Sequence, residues 1–356
     1  MILLISKDDP VQETGTTRQS LPGSHTGHLG RSPAHIRCPD RLDVTVARLQ
    51  YHHLASTTRT TYNAGWARFK EFCINDHTSP LPTTENSVLR FIAHLFLQNI
   101  SPATIKVYVA SIAKVHAEAS LPSPTASASV LRAVDGCRRI CPKAVDGRLP
   151  ITLDIMRRLK DNIRSSALSA YSKLLIWSTF TTAFFAALRV SEFTSQSTRH
   201  YDDRRTLSTS DVTIGSESVV ISVRRSKTDQ FGHGYKITLV STSRSVCPVT
   251  AIQNYAAVRI PTQQSHPFFL QQDGQFVTRT QVDRWLQIFL NGTPGRERYS
   301  THSFRIGAAS TAASNGAPDS AIQTIGRWKS SCFTRYVRTA VPTPGLDAYG
   351  TNSGLG

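Results

Sequence analysis

Apolar residues recur at helical spacing through the first half of the chain and change to a mixed pattern in the second. In TTRTTYNAGWARFKEFC, which follows Ser56, Tyr62, Trp66, Phe69 and Phe72 or Cys73 fall at three- and four-residue steps, with Arg59, Arg68 and Lys70 elsewhere. A second helix is expected over Ser87–Gln98, with Val88, Phe91, Ile92 and Leu95 on its apolar face. A third starts at Ser101-Pro102, a capping hydroxyl followed by proline at the first helical position. These helices predict an all-α domain over residues 44–140. Pro142, Gly147 and Pro150 mark residues 141–150 as a linker, and Thr152 is placed to cap the next helix.

Beyond Thr152 the pattern predicts an α+β domain over residues 151–340. It comprises an apolar helix near Ser172–Ala187 and strands at Asp211–Ile214, Ser218–Arg225 and Tyr235–Val240. The polar, glycine-containing stretch SKTDQFGHG is the expected hairpin turn between the last two strands. Helices are expected again at Val249–Val258, Thr280–Phe289, His302–Ser314, Asp319–Ile325 and Cys332–Val337. Gly316 and Gly326 fall where helix ends favour a residue tolerant of positive φ. Residues 1–43 lack any apolar period and are expected to be disordered, and 341–356 form a flexible tail.

Charge adds a partner class. The chain carries 41 Lys and Arg against 24 Asp and Glu, a formal charge of +17. Such an excess favours a polyanion and makes binding steeply salt-dependent. Within the first 45 residues Lys7, Arg18, Arg31, Arg37 and Arg41 are balanced by Asp8, Asp9, Glu13, Asp40 and Asp43, so the excess lies in the predicted domains. Met1–Ser6 is too short for a secretory signal, and no apolar stretch approaches the ~20 residues of a membrane span. The sequence is expected to be soluble and intracellular, with no membrane partner. The six scattered cysteines are expected to be free thiols, and the Cys137/Cys141 pair lacks matching zinc ligands.

Four short segments of the second domain carry candidate chemistry. ALRVSEF presents Arg189 and Glu192, and SKTDQ presents Lys227. HSFRIG presents His302 and Arg305 one helical turn apart, and IGRWKSSCFTRYVR presents Trp328 and Tyr336. Each has an ordinary explanation alone. A tyrosine in an apolar stripe is usually a packing residue, His302 could lie at a helix start, and Lys227 beside Arg224 and Arg225 could simply grip a DNA backbone.

Taken in order, Arg…Lys…His-x-x-Arg…Trp…Tyr resembles the active-site series of the tyrosine recombinase (phage integrase) family. The resemblance spans roughly Val44 to Ala340. RRSKTDQFGHG, YSTHSFRIGAAS and IGRWKSSCFTRYVRT are most similar to recombinases of eukaryotic DIRS-type and Crypton-type mobile elements. It implies a SAM-like helical core-binding domain, which binds DNA, followed by the α+β catalytic domain, the two clamping duplex DNA with 141–150 as strap. The implied activity is site-specific cleavage and rejoining of double-stranded DNA through a 3′-phosphotyrosyl intermediate, by a homotetramer acting in the nucleus. No cofactor, metal or ATP is expected.

The resemblance implies a role for each residue. Tyr336 is the nucleophile. Arg189 and Arg305 present planar forks of donors to the phosphate oxygens. Lys227 protonates the leaving 5′-oxygen, His302 assists proton transfer at the nucleophile, and Trp328 donates its indole N–H to the phosphate. Glu192 orients a neighbouring basic group. A free phenol titrates near pH ~10, so the adjoining cations are needed to favour the phenolate. No paired-carboxylate metal cluster is visible in the sequence, so fixed cations take the place a metal has in other phosphoryl transfers. Thr57, Arg59, Arg68, Lys106 and Arg225 are candidate DNA contacts. The eight-residue step from Trp328 to Tyr336 is at the short end of the family's spacing, and the twenty residues after Tyr336 suggest a reduced C-terminal helix. Two other readings stay open: a type IB topoisomerase-like enzyme that relaxes DNA, and a domesticated, catalytically silent DNA-binding protein.

Overall fold

The computed structural model describes residues 4–6, 41–142, 146–226, 229, 232–242, 244–328 and 330–338. The chain divides into two units, one of residues 18–146 and one formed by 1–17 together with 147–356. In the second unit Leu4–Ser6 form strand β1. The backbone of this strand pairs antiparallel with a later one, so the expectation of disorder over residues 1–43 is corrected there. A short strand-forming run can satisfy its backbone groups on an open sheet edge without an apolar period of its own. The expectations for 7–40 and for the 341–356 tail lie outside the described residues.

The first unit is all-helical. Helices α1 (Arg41–His52), α2 (Ser56–Asn75), α3 (Glu85–Leu97), α4 (Pro102–Glu118) and α5 (Ala128–Ile140) follow one another. The start of α1 lies three residues before the boundary expected for the helical domain. Phe69, Phe72 and Cys73 of α2 meet Val88, Phe91, Ile92 and Leu95 of α3, Ile105, Val109 and Ile112 of α4, and Val130, Val134 and Cys137 of α5. Each such large side chain contributes about 1.5–3 kcal/mol when fully buried. Ser101 caps α4, its hydroxyl accepting from the Thr104 N–H at 3.2 Å. Gly65 lets α2 approach α4, since a Cβ there would lie 2.8 Å from both Ser111 Oγ and Tyr108 Cδ1. The fully buried His116 accepts the Thr83 N–H at Nε2, which leaves Nδ1 to donate to the Ile112 carbonyl.

The second unit is α+β. Thr152 caps α6 (Leu153–Ser165), accepting from the Ile155 N–H, and Ser169 caps α7 (Ala170–Phe185). From Leu175 to Phe185 every residue of α7 is buried, so it is the central helix of this core. A four-residue helix α8 (Val190–Phe193) and the strands β2 (Val212–Ile214), β3 (Ser218–Val223) and β4 (Tyr235–Val240) follow. The antiparallel sheet has the order β1-β4-β3-β2, with Ser218 opposite Val240 and Val223 opposite Tyr235. Alternate residues Val219, Ile221 and Val223 of β3, with Ile237 and Leu239 of β4, enter the core. Helices α9 (Pro248–Val258), α10 (Arg279–Phe289), α11 (Thr301–Ser314) and α12 (Asp319–Gly326) complete it.

Residues 147–151 do not behave as a free strap. Leu149 and Ile151 donate backbone hydrogen bonds to the carbonyls of Arg298 and Ser303, each at 3.1 Å, and Arg298 Nε donates to the Gly147 carbonyl at 2.7 Å. A Cβ at Gly307 would come within 1.9 Å of the Ile151 carbonyl oxygen, so glycine permits this approach to α11. The second half of the expected linker is therefore part of the α+β unit. Cys73, Cys137, Cys141, Cys247 and Cys332 are free thiols. Among the described residues no helix is long and apolar enough to cross a membrane.

Candidate active site

The site begins where α7 ends. Ala187 is buried and has a φ of 44°, a left-handed conformation that an alanine adopts only at a cost. This elbow turns the chain so that Arg189 becomes the N-cap of α8. Glu192, 2% exposed, folds back: its Oε2 accepts the Arg189 backbone N–H at 2.9 Å, and its Oε1 accepts from Arg189 Nη1 at 3.1 Å.

Helix α11 supplies the next pair. Ser300 and Ser303 form a capping box at its start, and His302 and Arg305 follow on one face. Arg305 is 1% exposed. Its Nη1 donates to the Ala187 carbonyl and its Nη2 to the Gly326 carbonyl, while Nε has no hydrogen-bond partner. The fork expected to face a phosphate is thus partly turned inward, leaving Nε–H and one hydrogen on each Nη. The inward bonds bind the elbow to the end of α12.

There the chain turns again. Arg327, not Gly326, takes the left-handed conformation, with a φ of 55°. Gly326 serves a different need: a Cβ on it would lie 1.8 Å from Trp328 Cζ3, so the missing side chain makes room for the indole. Tyr336 closes the site. It lies at the end of a 3₁₀ turn over Ser331–Arg335, where an α-helix over Cys332–Val337 was expected. Ser330 caps that turn, and the tighter winding fits a five-residue run. The hydroxyl of Ser310 on α11 donates to the Tyr336 carbonyl at 3.1 Å and accepts the Arg338 N–H at 2.9 Å.

These segments bring four of the expected residues together. The Tyr336 ring centroid lies 4.7 Å from that of Trp328 and 5.2 Å from that of His302. The Arg305 guanidinium carbon is 4.5 Å from the Trp328 ring and 5.8 Å from the Tyr336 ring. Behind them Arg327 donates to Glu192 Oε2 at 2.7 Å, in a pair whose side chains are 1% and 2% exposed.

Three guanidiniums, of Arg189, Arg305 and Arg327, thus surround one carboxylate. Burial, and then the like charges of Arg327 and Arg189, pull the Arg305 guanidinium below its ordinary pKa, against the opposing pull of Glu192 and Tyr336. Burial alone would push the Glu192 carboxyl up. The Arg327 and Arg189 cations, the Arg189 backbone N–H and Arg305 outweigh it and hold the carboxyl below its usual range. An excess of fixed cation in a dry setting favours an anionic group with several acceptor oxygens, which is the chemistry of a phosphodiester.

Lys227 lies outside the described residues. The described residues around it are well held: Ser226 and Asp229 are buried and exchange backbone hydrogen bonds, and the Asp229 carboxylate accepts the N–H groups of His233 and Gly234 at 3.1 and 2.8 Å. Arg224 belongs to a structural pair with Asp211 at 2.8 Å. Arg225 is half-buried, and its side chain runs past Gly232, where a Cβ would meet Nε at 2.9 Å. In the helical unit Thr57, Arg68 and Lys106 are exposed. Arg59 is half-buried; it donates to the Tyr51 carbonyl at 2.7 Å and stacks 3.6 Å from that ring. Arg68 donates to the Gln98 side chain. Sequence reasoning missed Arg327, Ser310 and Asp229. For Arg327 a signal existed, a charge set between the apolar Ile325 and Trp328.

No family model matches the chain. Over 319 residues it is 25% identical to an integrase/recombinase xerD homolog of Selenomonas ruminantium, covering 85% of this chain and 88% of that protein. Among solved structures, the Tn1549 transposon integrase in complex with circular intermediate DNA matches with a TM-score of 0.54 at 13% identity, over 83% of this chain and 94% of that one. The fold is that of the tyrosine recombinases. A lambda integrase dimer bound to a COC′ core site matches with a TM-score of 0.52 at 14% identity, over 83% of this chain and 75% of that one. Like these, the chain joins a helical unit to an α+β unit, the architecture expected from the sequence. The proteins that match in sequence and in fold are integrases and recombinases.

Proposed function

We propose that the protein is a site-specific DNA recombinase that cuts and rejoins strands through a covalent bond to Tyr336, encoded by a mobile element of the DIRS or Crypton type. The observation that carries the reading is the gathering of His302, Arg305 and Trp328 around the Tyr336 ring, with Arg189 held by Glu192 behind them.

The chemistry balances within the chain. The Tyr336 phenol oxygen attacks the scissile phosphorus while His302 takes the phenol proton. The bond from phosphorus to the 5′-oxygen breaks, and Lys227 gives that oxygen a proton. The phosphate stays on the 3′ end as an ester of Tyr336, and a second 5′-hydroxyl reverses the step on a new partner. Arg189 and Arg305 stabilise the charge on the non-bridging oxygens, and Trp328 donates its indole N–H and walls out water. Because the phosphotyrosyl ester keeps the energy of the original bond, rejoining needs neither ATP nor metal. Thr57, Arg59, Arg68 and Lys106 of the helical unit, with Arg225, contact the sugar–phosphate backbone. Four copies acting on two duplexes in the nucleus complete the reading.

The test is a nicked suicide duplex carrying sequence that flanks the gene, incubated with the protein in EDTA. A covalent adduct is expected with wild type and none with Tyr336→Phe. An equal adduct from that variant would remove Tyr336 as the nucleophile, and DNA binding without any adduct would favour a silent DNA-binding protein. Relaxation of plasmids with no site preference would favour a topoisomerase.

A further inference from the structure

We propose that Arg327 is a positioning residue for strand cleavage, which fixes the Glu192 carboxylate and through it the direction of the Arg189 guanidinium. The inference rests on the recombinase reading above and adds a residue to it that touches none of the reacting atoms.

The geometry forms a relay. Arg327 donates to the Ala186 carbonyl at 3.1 Å, to the Ala187 carbonyl at 3.4 Å and to Glu192 Oε2 at 2.7 Å. Its plane is therefore set by the elbow that precedes Arg189, and the carboxylate is held against the same elbow. A carboxylate is rigid, so fixing Oε2 fixes where Oε1 points, and Oε1 receives Arg189 Nη1 at 3.1 Å. Arg189 is the member of the network that reaches solvent, with its side chain 16% exposed. Arg327 also holds a left-handed backbone, a strained state for a residue with a side chain. A buried counter-ion for Glu192 would not need the two carbonyl contacts, nor a planar group. Lysine could supply the charge but not three donor directions in one plane.

The relay separates charge from geometry, and so does its test. Covalent-adduct rates at saturating DNA are measured for wild type, R327K, R327Q, E192Q and the double variant E192Q/R327Q, with thermal unfolding in parallel. R327Q is expected to cleave about 10²-fold more slowly with DNA affinity unchanged, in the range found when a group supporting an active-site residue is removed. R327K is expected to unfold close to wild type and yet to cleave nearly as slowly as R327Q. In the E192Q background R327Q is expected to add little further loss, because both act through one carboxylate. The double variant keeps the net charge of the cluster and removes the buried Arg327–Glu192 pair as a unit, leaving Arg189 without its carboxylate, so it keeps the comparison available if R327Q alone does not fold. A wild-type rate in R327Q or R327K, or losses that multiply in the double variant, would overturn the inference. An absent wild-type adduct, or one that persists in Tyr336→Phe, would instead overturn the recombinase reading.

Discussion

Gly326→Ala tests the packing of the site directly. Gly326 is the last residue of α12 and is not among the positive-φ glycines, so alanine fits its backbone. Helix propensity alone would then stabilise the variant by about 1 kcal/mol. The structure opposes that gain. The new Cβ would lie 1.8, 2.1 and 2.2 Å from three carbons of the Trp328 ring, whereas ordinary contact starts near 3.4 Å. The indole must move by 3.4 − 1.8 = 1.6 Å, and its backbone is tied by the Trp328 N–H to the Gln323 carbonyl at 2.9 Å. Overpacking of this kind costs about 1–3 kcal/mol, enough to cancel or reverse the gain. The larger effect falls on chemistry, because the ring that shifts lies 4.7 Å from Tyr336 and 4.5 Å from Arg305. A displacement of 1 Å or more in a positioning group lowers rates by about 10²-fold. Adduct formation on the suicide duplex and thermal unfolding are the assays. Gly136→Ala on α5, where a Cβ meets nothing within 4 Å, is the control that should stabilise by about 1 kcal/mol and leave cleavage unchanged. If Gly326→Ala behaves like Gly136→Ala, the close packing of Trp328 is not what the site depends on.

Two further outcomes follow from the same network. Because its cationic neighbours hold the Glu192 carboxyl below its ordinary value, its contribution to stability is fully present above the unfolded value of about pH 4.3 and is lost as pH falls through the lower folded value. In denaturant titrations the gap between wild type and E192Q should close in that acid window, and a gap unchanged down to about pH 3 contradicts the assignment. Ser310→Ala removes the hydroxyl that joins Tyr336 to α11 and leaves the Arg338 N–H without its acceptor, so stability should fall by about 1 kcal/mol and cleavage by about tenfold. Cleavage at the wild-type rate would show that Tyr336 is held by other means.

What the sequence disclosed was local. Tyr235–Val240 alternates polar and apolar side chains and forms a strand with those ends, and the hydroxyls of Ser101 and Thr152 cap the helices that follow them. Pattern misled where a packing contact or pairing outside the periodic pattern decides the conformation. Gly326 looked like a helix terminator, but the indole two residues on explains it, and the left-handed turn falls on Arg327. The apolar positions around Tyr336 suggested an α-helix, and a 3₁₀ turn formed instead. Leu4–Ser6 pairs with a strand more than two hundred residues away, which no local period announces. The order of Arg189, His302, Arg305, Trp328 and Tyr336 was visible as motifs. The partners that orient them were not, since Arg327 reaches back 135 residues to Glu192 and Arg305 reaches 118 to Ala187.

Under the proposed function, those separations bear on when the chain can first act on DNA. The Ala187 elbow is unfavourable by itself, and the guanidiniums that clamp it come from the far end of the unit. Contacts of such long sequence range form late, after the entropy of closing the intervening loop has been overcome. Arg189 therefore takes up its bearing only once the last helices have docked, and under the proposed function a misassembled copy would carry Tyr336 without the groups that activate it.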